Sequence, residues 1–211
     1  MIPTHHKRVF ADTERGRISI TSFCSPEAIE SLAFKRAFGM HPYYNPIVST
    51  KQSLIQAAND ADANVTIAAT DDGDIVGFGI LTYPDPEERW HRVGDRLMME
   101  VAVIEVSRPW RSMGLSRKIL AMVLDHPLKE DRIYYMVGYS WTWDLDGSAM
   151  AAMDYREMMI HLFSVFGFEV LQTNEPNVVL RPENLFMARI GKNISEANQK
   201  RFKQVRFNLD L

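Results

Sequence analysis

Apolar and polar positions alternate with two periods along the chain, one typical of strands and one typical of helices. Alternating and continuously apolar runs predict strands at 17–23, 65–70, 75–82, 98–106, 133–139, 168–173 and 185–190. Apolar residues spaced three and four apart predict helices at 26–38, 50–59, 115–125, 149–166 and 195–205. This order of elements predicts an α/β (α+β) fold, a mixed sheet with helices on its faces.

Several short signals define the ends of these elements. Ser25 and Pro26 are typical of a helix N-cap and first turn. The run from Asp71 to Asp74 contains Gly73 and predicts a tight hairpin turn. The segments 39–49 and 83–96 contain prolines and polar residues and are predicted to be loops. We find no repeat or flexible linker, so one domain over 1–211 is expected, with a flexible N-terminus at 1–16 and a helical C-terminal extension at 193–211.

The segment from Met98 to Asp125 has the most informative pattern of the chain. An apolar strand with two carboxylates runs into an Arg/Gly/Ser loop, and the loop opens directly into an amphipathic helix. Such a junction directs loop amides and the positive end of a helix dipole at one point, which favours binding of an anion. Gly114 allows close backbone approach, Ser116 adds a hydroxyl, and Arg111 and Arg117 add positive charge. The pattern predicts a phosphate site for group transfer from a phosphate-bearing carrier, although a strand-to-helix turn without a ligand would look the same.

Composition and charge exclude several classes of function. The chain has 211 residues and a net charge of −3, which does not favour nucleic-acid or anionic-membrane partners. Cys24 is the only cysteine, so a disulfide framework and a cysteine metal cluster are excluded. The histidines lack the spacing of a metal site, and no metal is expected. No signal peptide or membrane span is recognised, and a cytoplasmic protein is expected.

The loop resembles the coenzyme-binding motif of the GNAT superfamily of N-acetyltransferases. In that motif Arg/Gln-x-x-Gly-x-Gly/Ala binds the pyrophosphate of acetyl-coenzyme A (acetyl-CoA), and here it runs from Arg111 to Ser116, with Ser where Gly or Ala is usual. The resemblance implies a mostly antiparallel sheet and acetyl-CoA as the cosubstrate. It also implies that the coenzyme contacts the strand and loop residues Ile104, Val106, Arg111, Ser112, Met113, Gly114, Leu115, Ser116 and Arg117.

Further segments resemble the acetoin-utilization branch of this superfamily in Gram-positive bacteria. They are 83–90, the Trp141-x-Trp143 segment, 174–176 and 187–193. This resemblance covers nearly the whole chain and implies a protein lysine acetyltransferase that inactivates acetyl-CoA synthetase.

Two glutamates are the candidate general bases, because an ammonium must lose a proton before it can attack a thioester. Glu100 lies on an apolar strand, where loss of solvent raises a carboxyl pKa, and it precedes Arg111 by the eleven residues typical of the family's catalytic glutamate. A structural salt bridge at Glu100 is the alternative. Glu105 is the second candidate, with an ion pair that braces the loop as its alternative.

The general acid and the acceptor channel are less defined. Many family members place a tyrosine where this chain has Phe163, so Tyr139, Tyr155 and His161 are substitute candidates for the acid, and water is another. Trp141 and Trp143 are expected either to line a lysine channel or to anchor the core.

The hypothesis for function is direct acetyl transfer from acetyl-CoA to a protein lysine, with acetyl-CoA synthetase as the protein partner. Acetylation of a small amine and a non-catalytic acyl-CoA-binding regulator are the alternatives. A homodimer is left open.

Overall fold

The computed structural model describes residues 6–34, 38, 44 and 46–209. The chain divides into two compact units. The first unit contains Met1–Thr82 and Val101–Pro127, and the second contains Tyr83–Glu100 and Leu128–Leu211. The boundary falls inside one strand, so that Glu100 belongs to the second unit and Glu105 to the first.

Strands and helices of the described residues have the following bounds. The strands are β1 Arg8–Thr13, β2 Gly16–Thr21, β3 Asn64–Thr70, β4 Ile75–Thr82, β5 Met98–Val106, β6 Ile133–Gly138, β7 Glu169–Val170 and β8 Leu185–Ile190. The α-helices are α1 Pro26–Glu30, α2 Lys51–Ala58, α3 Leu115–Leu124, α4 Leu145–Ser148, α5 Ala152–Ser164, α6 Pro176–Val179 and α7 Glu196–Arg206. Short 3₁₀ turns occupy Arg89–Val93, Arg108–Trp110 and Ser140–Thr142.

In the first unit the strand order is β1-β2-β3-β4-β5. The pairs from β1 to β4 are antiparallel. Helix α3 buries one face, including Ile119 and Val123, and packs closely on β4 because Gly79 has no side chain there: a Cβ at Gly79 would lie 2.6 Å from a Val123 methyl. On the other side Val103 of β5 joins a core of α1, α2, β3 and β4 side chains. The apolar contacts of β5 and α3 therefore fix both ends of the intervening loop.

In the second unit the strand order is β5-β6-β8-β7. The start of β5 pairs in parallel with β6, from Met98 opposite Ile133 to Glu100 opposite Tyr135. The remaining pairs are antiparallel. The core of this unit contains Trp90, Tyr135 and Phe186, and α7 adds Phe202 and Val205 to it. The predicted mixed, mostly antiparallel sheet flanked by helices is confirmed.

The predicted helix at 26–38 is too long. Ser25 and Pro26 start α1 as expected, but the helix ends at Glu30. Ala33 instead exchanges backbone hydrogen bonds with the start of β4, donating to Gly73 O at 2.9 Å and accepting from Ile75 N at 2.9 Å. Pairing with a strand has therefore overridden the helical periodicity. Residues 35–37, together with 39–43 and 45 of the predicted loop, lie outside the described residues.

Other differences are smaller. Residues 8–13, within the stretch expected to be flexible, form β1, and this strand was not predicted. The helix predicted at 149–166 is confined to α5, because Ala149 adopts a left-handed conformation with φ 54° that ends the short α4. β7 is only two residues long. The short helix α6 was also not predicted.

Candidate active site

The loop between β5 and α3, in the first unit, has a conformation suited to an anion. Its first half is a 3₁₀ turn fixed by a hydrogen bond of 2.8 Å from Trp110 N to Ser107 O. Ser112 and Gly114 both have positive φ values, 63° and 71°. Apart from its chain neighbours and the backbone of its own helix, no described atom lies within 4 Å of where a Gly114 Cβ would stand, so the backbone is open to a ligand there. These features fit a diphosphate, whose oxygens accept backbone N–H groups.

Helix α3 begins at this open backbone. Gly114 is its N-cap and has no side chain to cap the first turn. The amides at the start of a helix lack intrahelical acceptors, and the helix dipole adds partial positive charge. Ser116 and the exposed Arg117 follow in the same turn and can add a hydroxyl and a cation. Loop and helix together bring backbone N–H groups, a hydroxyl and a cation to one end of α3 in the first unit.

Glu105 is held by the first residue of the motif. Arg111 Nη2 donates to Glu105 Oε1 at 3.1 Å, and Arg111 Nε donates to Val106 O at 3.0 Å. Tyr44 donates its hydroxyl proton to Glu105 Oε2. Both carboxylate oxygens therefore accept hydrogen bonds, which stabilise the charged form and leave it a weak proton acceptor. This geometry matches the loop-bracing ion pair that was the alternative for Glu105.

Glu100 has the opposite environment, in the second unit. It is partly buried and lies opposite Tyr135 in the parallel pairing of β5 with β6. No described residue donates a hydrogen bond to its carboxylate. Burial, followed by the neighbouring Glu88 carboxylate, raises the pKa of Glu100 to about 8. A carboxyl group with this pKa accepts protons well near neutral pH.

Two phenols and two further acidic side chains belong to the electrostatic environment of Glu100 and Tyr139. Glu88 is exposed overall, yet its Oε2 accepts a hydrogen bond of 3.4 Å from the hydroxyl of the buried Tyr135. Burial and then the carboxylates of Glu175, Glu100 and Glu88 raise the pKa of Tyr139 to about 12, so its hydroxyl stays protonated at neutral pH. The second unit thus combines an unpaired carboxylate with two phenols and two further acidic groups.

The end of α7 fixes the segments that carry Glu88 and Glu175. Arg206 O accepts from Thr173 Oγ1 at 2.7 Å and from Asn174 N at 3.1 Å. Arg89 Nη1 donates to Asn174 Oδ1 at 2.6 Å, which ties the two segments to each other. The predicted C-terminal helix therefore has a role in positioning two of the acidic groups.

Sequence reasoning did not single out Glu88, Glu175, Tyr135 or Tyr44. Glu88 and Tyr44 lie in segments predicted as loops, whose folded positions no periodicity fixes. Tyr135 had a usable signal, because a strand that pairs in parallel with β5 places one of its side chains beside Glu100. Glu175 is the N-cap of α6, which was not predicted.

Comparison with known proteins identifies the family. The acetyltransferase (GNAT) family model matches residues 28–153, more than half of the chain. The chain belongs to the GNAT family. It is 31% identical over 207 residues to the acetoin utilization protein AcuA of Bacillus licheniformis, with 97% of each chain covered. It is 29% identical over 206 residues to AcuA of Bacillus subtilis strain 168, with 96% of each chain covered.

A solved structure supports the same fold. The crystal structure of an acetoin utilization protein from Exiguobacterium sibiricum superposes with a TM-score of 0.88 at 24% identity, covering 99% of this chain and 97% of that one. GNAT enzymes use acetyl-CoA as cosubstrate, and this chain is an acetyl-CoA-dependent N-acetyltransferase. Among the described residues, no helix is both long and apolar enough to span a bilayer. The same residues include no cluster of three or more His, Cys, Asp or Glu able to hold a metal ion.

The structure also places the candidates for the general acid of this GNAT enzyme. Phe163, at the position usual for the acid, is a buried core residue packed edge-on against Phe168. His161 is exposed and bonds the backbone of its own helix through Nδ1. Tyr155 stacks on Trp143 at 5.0 Å. Burial, followed by the carboxyl groups of Glu175, Glu100 and Glu88, raises the pKa of Tyr139, which places this substitute in the electrostatic environment of Glu100.

The two tryptophans take different roles. Trp143 is buried and anchors the core, which was one of its two predicted roles. Trp141 is 43% exposed and stacks in parallel on Tyr139 with ring centres 4.9 Å apart. An exposed tryptophan stacked on a partly buried tyrosine can contact the aliphatic stem of a lysine.

Proposed function

We propose that this enzyme transfers acetyl from acetyl-CoA directly to a protein lysine, with Glu100 as the general base. The observation that carries the proposal is the carboxylate of Glu100, which is partly buried, accepts no hydrogen bond from a described residue and has a pKa of about 8. A lysine ammonium has a pKa of about 10.4 and must lose a proton before its nitrogen can attack. Glu100 takes that proton.

The remaining residues bind and orient the cosubstrate. Acetyl-CoA supplies the activated thioester carbonyl that the amine attacks: the amide C–N bond forms, the C–S bond breaks, and coenzyme A leaves as a thiolate that takes a proton from Tyr139 or from water. The loop and first helical turn from Arg111 to Arg117 bind its diphosphate through backbone N–H groups and the two arginines. Backbone groups of Ile104 and Val106 bind the pantetheine arm in the manner of a strand. Glu105 is assigned the bracing role, because its ion pair with Arg111 fixes the motif's first side chain.

The acceptor is a protein lysine, with acetyl-CoA synthetase as the proposed partner. Two observations support a protein acceptor. The exposed Trp141 lies next to Tyr139, and Val179 and Leu180, which follow Glu175, are 62% and 66% exposed. Apolar side chains at the surface near a reactive group are typical of contact with a protein partner. The relatives are named for acetoin utilization, which supports a role in acetoin and acetate metabolism, and we expect a single-domain, cytoplasmic enzyme.

A small cationic amine is the second candidate acceptor. Glu175, Glu100 and Glu88 act together on Tyr139, and those of their carboxyl groups that are ionised favour a positively charged ligand of any size. A small amine would bind through the carboxylates alone and, unlike a protein, would need no contact with exposed apolar side chains.

The test is an acetylation assay with purified acetyl-CoA synthetase and, separately, a panel of small amines. We expect stoichiometric acetylation of one or a few lysines of the synthetase, mapped by mass spectrometry, and no comparable turnover of the amines. The Glu100→Gln variant serves as the inactive control. Efficient turnover of an amine with an unmodified synthetase would select the second candidate, and acetyl-CoA binding without turnover of any acceptor would overturn both.

A further inference from the structure

Glu88 has no role in the proposed mechanism, although it contacts Tyr135, the strand neighbour of Glu100. The Glu88 carboxylate accepts a hydrogen bond from the hydroxyl of Tyr135, and Tyr135 is the residue opposite Glu100 in the parallel pairing. Residues opposite each other on neighbouring strands place their side chains on the same face of the sheet. Tyr135 therefore neighbours both carboxylates and donates its hydrogen bond to Glu88.

We propose that Glu88 is a positioning residue that keeps Glu100 a strong base. It acts by two routes. Its negative charge opposes ionisation of Glu100, and its hydrogen bond turns the phenolic proton of Tyr135 away from Glu100. Both routes favour the protonated form of Glu100, so each strengthens its affinity for the proton of the acceptor amine. The inference rests on the proposed role of Glu100 and adds a second residue to it.

The surrounding charges are consistent with this role. Burial raises the pKa of Glu88, the Tyr135 hydrogen bond lowers it, and the charges of Asp85 and Glu175 add smaller upward shifts. Tyr135 on β6 and Tyr139, which directly follows β6, act on Glu100 as neutral phenols, because burial raises the pKa of each. The nearby cation Arg89 is engaged with Asn174 Oδ1 and Arg206 O. Tyr135 itself is fixed by its ring, which packs on Trp90 and Phe186.

The test is the pH dependence of kcat/KM in Glu88→Gln, with Glu87→Gln as the matched control. Glu87 is the exposed neighbour on the same loop, so the control removes the same charge without the Tyr135 contact. We expect the acidic limb of Glu88→Gln to move down by about one pH unit. The variant should be about two- to five-fold more active than the wild type at about pH 6.5 and slower at high pH, since a weaker base is ionised earlier.

A second comparison separates the two routes. Glu88→Ala frees the Tyr135 proton to turn toward Glu100, and we expect a larger shift of the limb than in Glu88→Gln. The double variant Glu88→Ala with Tyr135→Phe retains the buried ring and should return to the smaller shift. Thermal unfolding of each variant reports whether it is folded.

Three outcomes would overturn the inference. They are a lower rate at every pH with an unmoved midpoint, an upward shift, and an equal shift in Glu87→Gln. Failure of the underlying function has a different signature. In that case Glu100→Gln retains the wild-type limb, whatever happens at Glu88.

Discussion

Glu100 and Glu105 lie on one strand, five residues apart, and have opposite surroundings. Glu105 accepts hydrogen bonds from Arg111 and Tyr44, and its charge is satisfied in the folded protein. Glu100 accepts no hydrogen bond from a described residue and faces another carboxylate, so its charged form is disfavoured. The same type of side chain thus serves two purposes at two positions of one strand. A satisfied carboxylate holds a loop in place, whereas an unsatisfied one is available to take a proton.

The largest expected difference between the two glutamates is in turnover. Glu100→Gln should lower kcat by about 10²- to 10⁴-fold, the usual contribution of a general base. Glu105→Gln should keep kcat within about ten-fold of the wild type, since it removes a brace and leaves the base. Steady-state kinetics at saturating acetyl-CoA measure both variants. Equal losses of kcat in the two variants would contradict the different roles assigned to the two glutamates.

The loop near Glu105 can be tested through Gly114. Gly114→Val should abolish acetyl-CoA binding, because the side chain fills the open backbone surface and strains a left-handed conformation. Acetyl-CoA at a hundred times its Kd should stabilise the wild type by about 2.7 kcal/mol, and this gain should vanish in the variant. Thermal shift with and without acetyl-CoA provides the measurement.

Gly16→Val is the control for strain alone. Gly16 also has a positive φ, 118°, with no described atom within 4 Å of its Cβ position. This variant should lose stability but retain the full shift on acetyl-CoA binding. A preserved ligand shift in Gly114→Val would refute the diphosphate site.

Because the Glu100 carboxylate accepts no hydrogen bond from a described residue, its ionisation should lower the stability of the folded protein at alkaline pH. Its folded pKa of about 8 lies above the ordinary 4.5, so the folded state holds the proton more tightly and its stability falls as pH rises between these values. Glutamine does not titrate. The free energy of unfolding of Glu100→Gln relative to wild type should therefore rise between about pH 5 and pH 9, by on the order of 1–3 kcal/mol. Denaturant unfolding at both pH values measures it, and a difference that is flat with pH would contradict the unpaired carboxyl.

The smallest effect is expected from the ion pair of Glu105. Glu105→Gln removes this ion pair and should lower the free energy of unfolding by about 1 kcal/mol. The cost is modest because both side chains keep some exposure to solvent, which screens the pair. A displaced Arg111 should weaken acetyl-CoA binding by about five-fold. Glu30→Gln, which removes a looser pair with Lys51 at 3.7 Å, should change neither quantity measurably. Titration calorimetry distinguishes the two variants.

The sequence predicted β5 and the loop near Glu105 more completely than it predicted the surroundings of Glu100. The bounds of β5 and the start of α3 were predicted correctly, because a continuous apolar strand and an amphipathic helix leave a clear boundary at Gly114. The network around Glu100 could not be predicted, since Glu88 comes from a polar loop whose position depends on Trp90 packing in the core and on Arg89 bonding Asn174. Helix α1 shows the same limit: its early end at Glu30 depends on the distant strand β4.

The central claim is that Glu100 is the proton acceptor of this acetyltransferase. The most direct measurement is the pH profile of kcat/KM for wild type beside Glu100→Gln, with the acetylated protein as the readout. The account predicts a wild-type rate that rises through a midpoint near 8, matching the pKa of Glu100, and a variant in which that limb is absent. A variant that keeps the limb, or a wild-type midpoint near the ordinary value of 4.5, would contradict it.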